Sequence, residues 1–411
     1  MSPLDRRQAL KLMAALGATG LASACGTAGG TAADVDDATS DYPIKIGMIA
    51  PKSGGYKPIG DELIRGFQLF LDLNDKRLGG HPAELVVADE GESAQSGKAA
   101  ADSLLSQNVH ALTGVVSSPV MLGVRDTIEQ ARVPLIGSNA SPTNLQSVVY
   151  IWRTSFVNDE PGKALGPYVA EYLSKLPPSQ RRGAGGRVSI ISPQYTGGTD
   201  AVRGFQQSFG DGATDPRLAE PVWTEYITNP GKNTFKADIS RLLQQDPDAV
   251  YCFFAGTAAV EFLRQLHAAG YRKQIFGSGF LTEGNVLTEL RPAEAEGIIT
   301  ALNYSADINN AANRVFASAF RKAHSAEPTT YAMASYDAAQ VLNKAIRIAG
   351  DRPTPQDINL AIGQIGQIDS PRGSWQFNQP RTPQQKWYLR RVQRDGETLS
   401  NVLINELTAL G

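Results

Sequence analysis

A chain of 411 residues is too long for one ordinary domain and suits two lobes of roughly 150 residues each. Its hydrophobic fraction of 42% and charged fraction of 19% are those of a globular protein with ample core. A net charge of −2 without a basic run excludes the electrostatic footprint of a nucleic-acid binder. The four histidines, His81, His110, His267 and His324, are scattered along the chain. Their spacing supports no metal site, and no cofactor is expected.

The N-terminus reads as a targeting segment. Arg6 and Arg7 precede an apolar stretch over 12–24 that is too short to span a bilayer. The pair resembles a twin-arginine export signal, although Ala9 stands where a large apolar residue is usual. Leu21-Ala22-Ser23-Ala24-Cys25 resembles a lipobox, with Leu21 one position further from the cysteine than the common pattern. Cys25 is therefore expected to carry lipid, residues 1–24 to be removed, and 25–41 to form a flexible tether. That places the folded part on the outer face of the cytoplasmic membrane. Cys252 lies in an apolar run over 249–254, has no disulfide partner, and is expected as a buried strand residue.

In chain order, the pattern predicts a strand over 44–50 and an amphipathic helix over 60–74. A strand over 83–89 and a helix over 94–106 follow. The stretch 111–145 carries the same device twice. An apolar run over 111–116 ends in Ser117-Ser118-Pro119, and another over 133–136 ends in Ser138-Asn139-Ala140-Ser141-Pro142. Serine caps the first free N–H groups of a helix and proline supplies its preset φ, so each unit reads as strand, tight turn, helix. Successive units imply neighbouring parallel strands, whose helix N-termini gather at one carboxyl edge and suit a small anion.

A crossing strand over 151–154 precedes a second α/β series. It has helices over 162–176, 200–209, 235–245 and 258–269, and strands over 187–192, 222–226, 249–254 and 274–276. A polar loop is expected over 179–186. A strand over 297–302 and helices over 311–324 and 333–349 come next. Segments 374–377 and 387–393 read as a terminal antiparallel hairpin. The acidic cluster Asp89, Glu90 and Glu92 reads as a solvated turn. Two similar α/β lobes with a cleft between them form a common binding architecture.

With these residues placed, the chain resembles the extracellular solute-binding proteins of branched-chain amino-acid ABC transporters, the Leu/Ile/Val type, over 44 to about 402. The markers are Ser53-Gly54, Gly60-Asp61 and Gly66, then Gly114 with Ser117-Ser118, and Pro134-Leu135-Ile136 with Ser141-Pro142. Arg153-Thr154, Gln194-Tyr195, Leu263-Arg264-Gln265 with Ala269-Gly270, and Tyr336-Asp337-Ala338 complete the set. The resemblance implies two doubly wound Rossmann-like α/β lobes joined by three crossovers near Arg153, Thr300 and Ile368. Lobe 1 would comprise 42–153 and 300–368, and lobe 2 would comprise 154–299 and 369–411.

The resemblance also implies roles. Ser118 matches a serine that holds the ligand carboxylate, Asn139 a residue offering its backbone, Ser141 a second hydroxyl, and Tyr195 a tyrosine that closes from lobe 2. Two positions depart from the family. Its acidic residue for the ligand's α-ammonium falls at Gly279, and an aromatic contact falls at Ala255. A buried ammonium without a carboxylate costs several kcal/mol. Either Glu283, or less simply Asp159 or Glu160, replaces that acid, or the ligand has no free α-amine. The expectation is a small carboxylate-bearing ligand, a branched-chain amino acid or a related or aromatic acid, with the amine-free acid favoured, lying among Tyr56, Tyr195 and Phe253.

No P-loop, G-x-S-x-G elbow, H-E-x-x-H or dinucleotide fingerprint is present, so an enzyme is not expected. The partners implied are a small-molecule ligand, a membrane permease with its ATPase, and the membrane itself through the lipid; the binder would be a monomer. The alternative is a ligand-sensing receptor subunit with the same fold.

Overall fold

The computed structural model describes residues 39–180, 186–212, 221, 223–227 and 234–411. Cys25, the export segment, the tether up to position 38, residues 181–185 of the polar loop and position 222 lie outside them. The first sheet contains β1 (Ile44–Ala50), β2 (Arg77–Leu78), β3 (His81–Asp89), β4 (Ala111–Gly114), β5 (Leu135–Gly137) and β6 (Ile151–Arg153). The second contains β7 (Val188–Pro193), β8 (Trp223–Ile227), β9 (Ala249–Cys252), β10 (Gln274–Ser278), β11 (Ile299–Leu302), β12 (Gln376–Phe377), β13 (Pro383–Asp395) and β14 (Thr398–Leu410).

The first sheet has the order β2-β3-β1-β4-β5-β6. It is parallel apart from β2, with Ile46 opposite Leu85 on one side and Ala111 on the other. The second runs β12-β13-β11-β10-β9-β7-β8, with β14 paired to β13. Its β7 to β11 strands are parallel and the C-terminal strands antiparallel. Parallel strands covered on both faces bury every residue, so β4, β7 and β9 are apolar-dominated and wholly buried, Cys252 included. In each sheet the strand order reverses once, at β1 and at β7. A doubly wound sheet opens a crevice at the carboxyl ends of such strands.

Helices α1 (Lys57–Leu73), α2 (Ala94–Leu105) and α3 (Ser118–Ala131) cover the first sheet, and α4 (Glu160–Lys175), α5 (Thr196–Gly212), α6 (Lys236–Gln244) and α7 (Gly256–Ala268) the second. Two short helices, α8 (Asn285–Glu289) and α9 (Pro292–Ala295), precede β11. The chain then adds α10 (Ala311–His324), α11 (Thr330–Ala349) and α12 (Pro355–Ile362). Of these, α11 packs on α1 through Gly66. A Cβ there would sit 2.0 Å from the Ala332 carbonyl, so only glycine allows the approach. No helix among the described residues is long and apolar enough to cross a membrane.

Three expectations are corrected. Ser141-Pro142 starts no helix, and β5 runs through an irregular loop to β6, its parallel neighbour. The groups that would open a helix are already engaged: the Ser141 amide donates to Asn158 Oδ1 at 3.3 Å, and the Thr143 amide donates to Asp200 Oδ2 at 3.0 Å. The terminal hairpin is longer than expected and pairs β13 with β14, while β12 adds only a short pairing to β13. The acidic cluster is not uniformly solvated. Asp89 and Glu92 are exposed, but Glu90 is fully buried and accepts from the amides of Val116 and Ser117, each at 2.7 Å.

The chain passes between the sheets after β6, after β11 and between α12 and β13, and the three passages meet in one buried polar knot. The Ser155 carbonyl accepts from Asn303 Nδ2 (2.9 Å), Arg372 Nη1 (2.9 Å) and Gln385 Nε2 (3.0 Å). Arg372 lies 3.1 Å from Asp337, whose Oδ2 also accepts from Ser370 Oγ and Trp375 Nε1. Both members of the pair are inaccessible to solvent, at 1% and 0% side-chain exposure.

Removing one partner of a buried pair strands the other. Arg372→Met is therefore expected to cost about 3–5 kcal/mol in urea unfolding, and Arg372→Met/Asp337→Leu to recover most of it. A loss below about 1 kcal/mol for the single variant would mean that water reaches the pair. A second expectation concerns Glu90. Burial outweighs its two amide bonds and pushes its carboxyl up to about 8. The unfolded chain, near the ordinary 4.5, binds fewer protons between these values. This group's contribution therefore falls as pH rises from about 4.5 to 8. Glu90→Gln should flatten the fall in melting temperature over that window, and an unchanged slope would show that Glu90 does not titrate there.

Candidate functional site

The carboxyl ends of both sheets face one cavity. From the first sheet come Tyr56 and Ile59, after β1, then Val116, Ser117 and Ser118, after β4. The loop after β5 adds Asn139 and Ala140. Tyr195 and Gly197 follow β7, Phe253 and Ala255 follow β9, and Phe280 follows β10. Phe156 and Asn158, just past the first passage, and Tyr331 at the start of α11 complete the wall.

The turn after β4 is made by strained backbone. Gly114 has φ +105° and Val115 φ +65°, a left-handed conformation that a β-branched residue rarely adopts. The Val115 amide donates to the Ile49 carbonyl at 2.7 Å and the Val115 carbonyl accepts from Ala140 N at 2.9 Å, so both neighbouring loops hold the strain in place. Pro119 then sits in the first turn of α3, and buried Val120, Met121, Val124 and Ile128 fix the helix to the core. Ser118 is consequently presented at a rigid sheet edge.

One wall is polar. Ser118 Oγ accepts from Asn158 Nδ2 at 3.1 Å, and its own proton has no acceptor among the described residues. The side chain of Asn139 is turned back, its Nδ2 donating to the Val116 carbonyl at 2.8 Å. The opposite wall is aromatic. Tyr195 meets Phe253 edge-on with centroids 6.1 Å apart, and Phe253 meets Phe280 at the same distance. Phe280 stacks on Tyr331 at 5.8 Å and leans on Phe156 at 5.1 Å. The phenols of Tyr56 and Tyr195 interact with one another, and burial raises the pKa of both. A Cβ on Gly197 would lie 2.9 Å from the Tyr195 ring and 3.6 Å from Ser118 Oγ, so the start of α5 lies close to the serine.

Of the residues expected from sequence, Ser118, Asn139, Tyr195, Tyr56 and Phe253 line this cavity, and so does Ala255. Ser141 and Glu283 do not. The Ser141 hydroxyl is fully buried and without a partner among the described residues, while its backbone N–H and carbonyl pair with Asn158. Glu283 is 2.8 Å from Arg390 Nη1 and accepts from the Thr330 amide at 2.7 Å. Asp159 is paired with Lys163 at 2.6 Å, and Glu160 accepts from the Val157 amide at 2.9 Å. None of the acids considered for an ammonium is therefore in the wall, and no lining residue carries a charge.

Sequence reading missed Phe156, Asn158, Phe280 and Tyr331. Phe280 follows β10 by two residues and could have been found by its place at a carboxyl edge. Tyr331 is brought in by α11 from far along the chain and carries no local signal. Among the described residues no group of three or more His, Cys, Asp or Glu could hold a metal ion.

The family model for periplasmic binding protein matches residues 43–397. Leu/Ile/Val-binding protein homolog 6 of Brucella melitensis is 24% identical over 361 residues, covering 85% of this chain and 87% of its own. The leucine-specific-binding protein of Salmonella typhimurium is 26% identical over 310 residues, covering 74% and 78%. A solute binding protein of an ABC transporter from R. palustris, solved in complex with benzoate, is 27% identical, with a TM-score of 0.79 over 90% of this chain and 98% of that one. The substrate binding protein LivJ of Streptococcus pneumoniae, solved with isoleucine, has a TM-score of 0.74 over 88% and 100%, at 21% identity. These relatives are binders of small solutes rather than enzymes, and with the family match spanning most of its length this chain belongs to the periplasmic binding protein family.

Proposed function

We propose that this chain is the exported solute-binding component of an ABC importer and that its cargo is a small aromatic carboxylic acid. The observation that carries the reading is the uncharged wall: hydroxyl and amide groups on one side, aromatic rings on the other, and no carboxylate for an ammonium. An amino acid would bury its α-ammonium there without an ion partner, at a cost of several kcal/mol. A carboxylate needs only donors, and Ser118 has a free one. Similarity to a protein solved with benzoate supports the same class of ligand.

In this reading the two lobes, 42–153 with 300–368 and 154–299 with 369–411, close on the ligand like a clamshell. The acid binds Ser118 and the Asn139 loop, and Tyr195, Phe253 and Phe280 fold over its ring. Contacts from both lobes are required, because a ligand shifts an equilibrium only by its differential affinity for the two states. The closed monomer then docks on a permease powered by a separate ATPase. Lipid on Cys25 would hold it at the outer face of the cytoplasmic membrane.

Thermal melting and calorimetry of residues 42–411 with benzoate, hydroxybenzoates, leucine, isoleucine and deaminated analogues test this, since ligand specific to the folded state raises the melting temperature by mass action. Aromatic acids are expected to shift it and branched-chain amino acids are not; the reverse result would overturn the cargo assignment. Ser118→Ala should weaken aromatic-acid binding by about 1–3 kcal/mol through loss of a charge-assisted hydrogen bond. An unchanged affinity would remove Ser118 from the site.

A further inference from the structure

Asn158 is the residue of the wall with the most constrained hydrogen bonding. Its Oδ1 accepts from the Ser141 amide at 3.3 Å, and its own backbone N–H donates to the Ser141 carbonyl at 2.9 Å. Its Nδ2 donates to Ser118 Oγ at 3.1 Å and to Asp200 Oδ2 at 3.3 Å. These partners fix which end of the amide is nitrogen: an N–H requires the oxygen, and an ionised carboxylate, which only accepts, requires the NH2. Asn158 is 6% exposed and Asp200 3%, so neither end can turn to water instead.

Asp200 is itself held on both sides of the cleft. It accepts from Thr143 N at 3.0 Å and Thr143 Oγ1 at 2.8 Å, in the loop after β5, and from Arg203 Nη2 at 2.6 Å on its own helix, α5. Thr143 belongs to the first lobe and Asp200 to the second, so this clamp exists only while the lobes are together.

We infer that Asn158 is a positioning residue: by filling the acceptor site of Ser118, with its amide held in turn by Asp200 across the closed cleft, it makes Ser118 an obligate donor and so favours ligands that bring an acceptor, an anionic one above all. The inference rests on the cargo reading above and deepens it. A serine hydroxyl can donate or accept. With Asn158 donating to it, the remaining O–H must donate, and the cavity is the space left to it. A ligand carboxylate completes the chain of hydrogen bonds. A neutral amide whose NH2 faces the serine does not.

The test compares benzoate with benzamide, its neutral isostere, by calorimetry on the wild type, Asn158→Asp, Asn158→Ala, Ser118→Ala and Asn158→Ala/Ser118→Ala. Asn158→Asp sets a carboxyl against Asp200, so the comparison is made at a pH above the titration of that pair, where the new carboxylate accepts the Ser118 proton. Benzoate affinity should fall by about 100-fold or more while benzamide changes by less than about 10-fold. Asn158→Ala, the fallback should the acidic variant not fold, should lose about 10-fold for benzoate alone. Adding it to Ser118→Ala should cost nothing further, because Asn158 acts on the ligand only through the Ser118 hydroxyl. Equal losses for both ligands, or additive losses in the double variant, would reduce Asn158 to a structural strut and overturn the inference. If wild-type protein binds neither ligand, the cargo reading fails and this inference falls with it. If it binds benzoate and the selectivity of the variants is unmoved, only the inference falls.

Discussion

The carbonyl of Ser155, in the first passage between the sheets, accepts three donors, Asn303 from the second passage and Arg372 and Gln385 from the third. A carbonyl oxygen has two lone pairs, so three N–H groups at about 3 Å crowd it. They arrive from two different passages of the chain, and the Arg372–Asp337 pair lies beside the knot in full burial. Leaving any of these groups unpaired would cost more than an ordinary surface contact returns. The connection is therefore held as a single body rather than as three loose linkers. The position of both carboxyl edges follows from it.

What the edges offer differs between the lobes. The first sheet places Ser117, Ser118 and Asn139 at the carboxyl ends of β4 and β5, with polar Asn158 close behind them. The second places rings. The positive end of α3 suggests direct backbone capture of a carboxylate, but two of the amides at that turn already serve Glu90. Two bonds at 2.7 Å to a buried carboxyl outweigh a helix dipole effect of about 0.3–1 kcal/mol. The hydroxyl of Ser118, rather than the Val116 and Ser117 amides, remains as the donor that an anion meets first.

Alternating strands and helices were legible wherever apolar runs were long and uninterrupted, as in β1, β4, β7 and β9. Ser118, Asn139 and Tyr195 were legible because they follow such strands. Ser141-Pro142 misled because the local helix-start signal competes with distant groups, Asn158 and Asp200, that no window around residue 141 contains. Glu90 misled for a similar reason. An acid between two acids reads as solvent-facing unless the partner amides, 26 and 27 residues away, are known. β14 was missed because its outward face is largely exposed and polar, which blurs the period of two.

The position that set this chain apart from its family in sequence, Gly279, gains a physical reason from its surroundings. A Cβ there would meet Leu302 Cβ at 2.6 Å and Arg390 Nη2 at 2.8 Å, so there is no room for a side chain without displacing both. Arg390 also donates to the Gly279 carbonyl at 3.3 Å and to the Tyr304 carbonyl at 3.1 Å, and it lies 2.8 Å from Glu283. An acidic side chain at 279 would therefore be drawn to a buried guanidinium rather than into the cavity. The nearby acid, Glu283, is already neutralised by the same group. Lack of an ammonium partner is thus enforced twice, by a missing side chain and by the cation that occupies its space. In the proposed cargo reading, exclusion of the α-amine belongs to the packing of the second lobe, and one substitution at 279 would not reverse it.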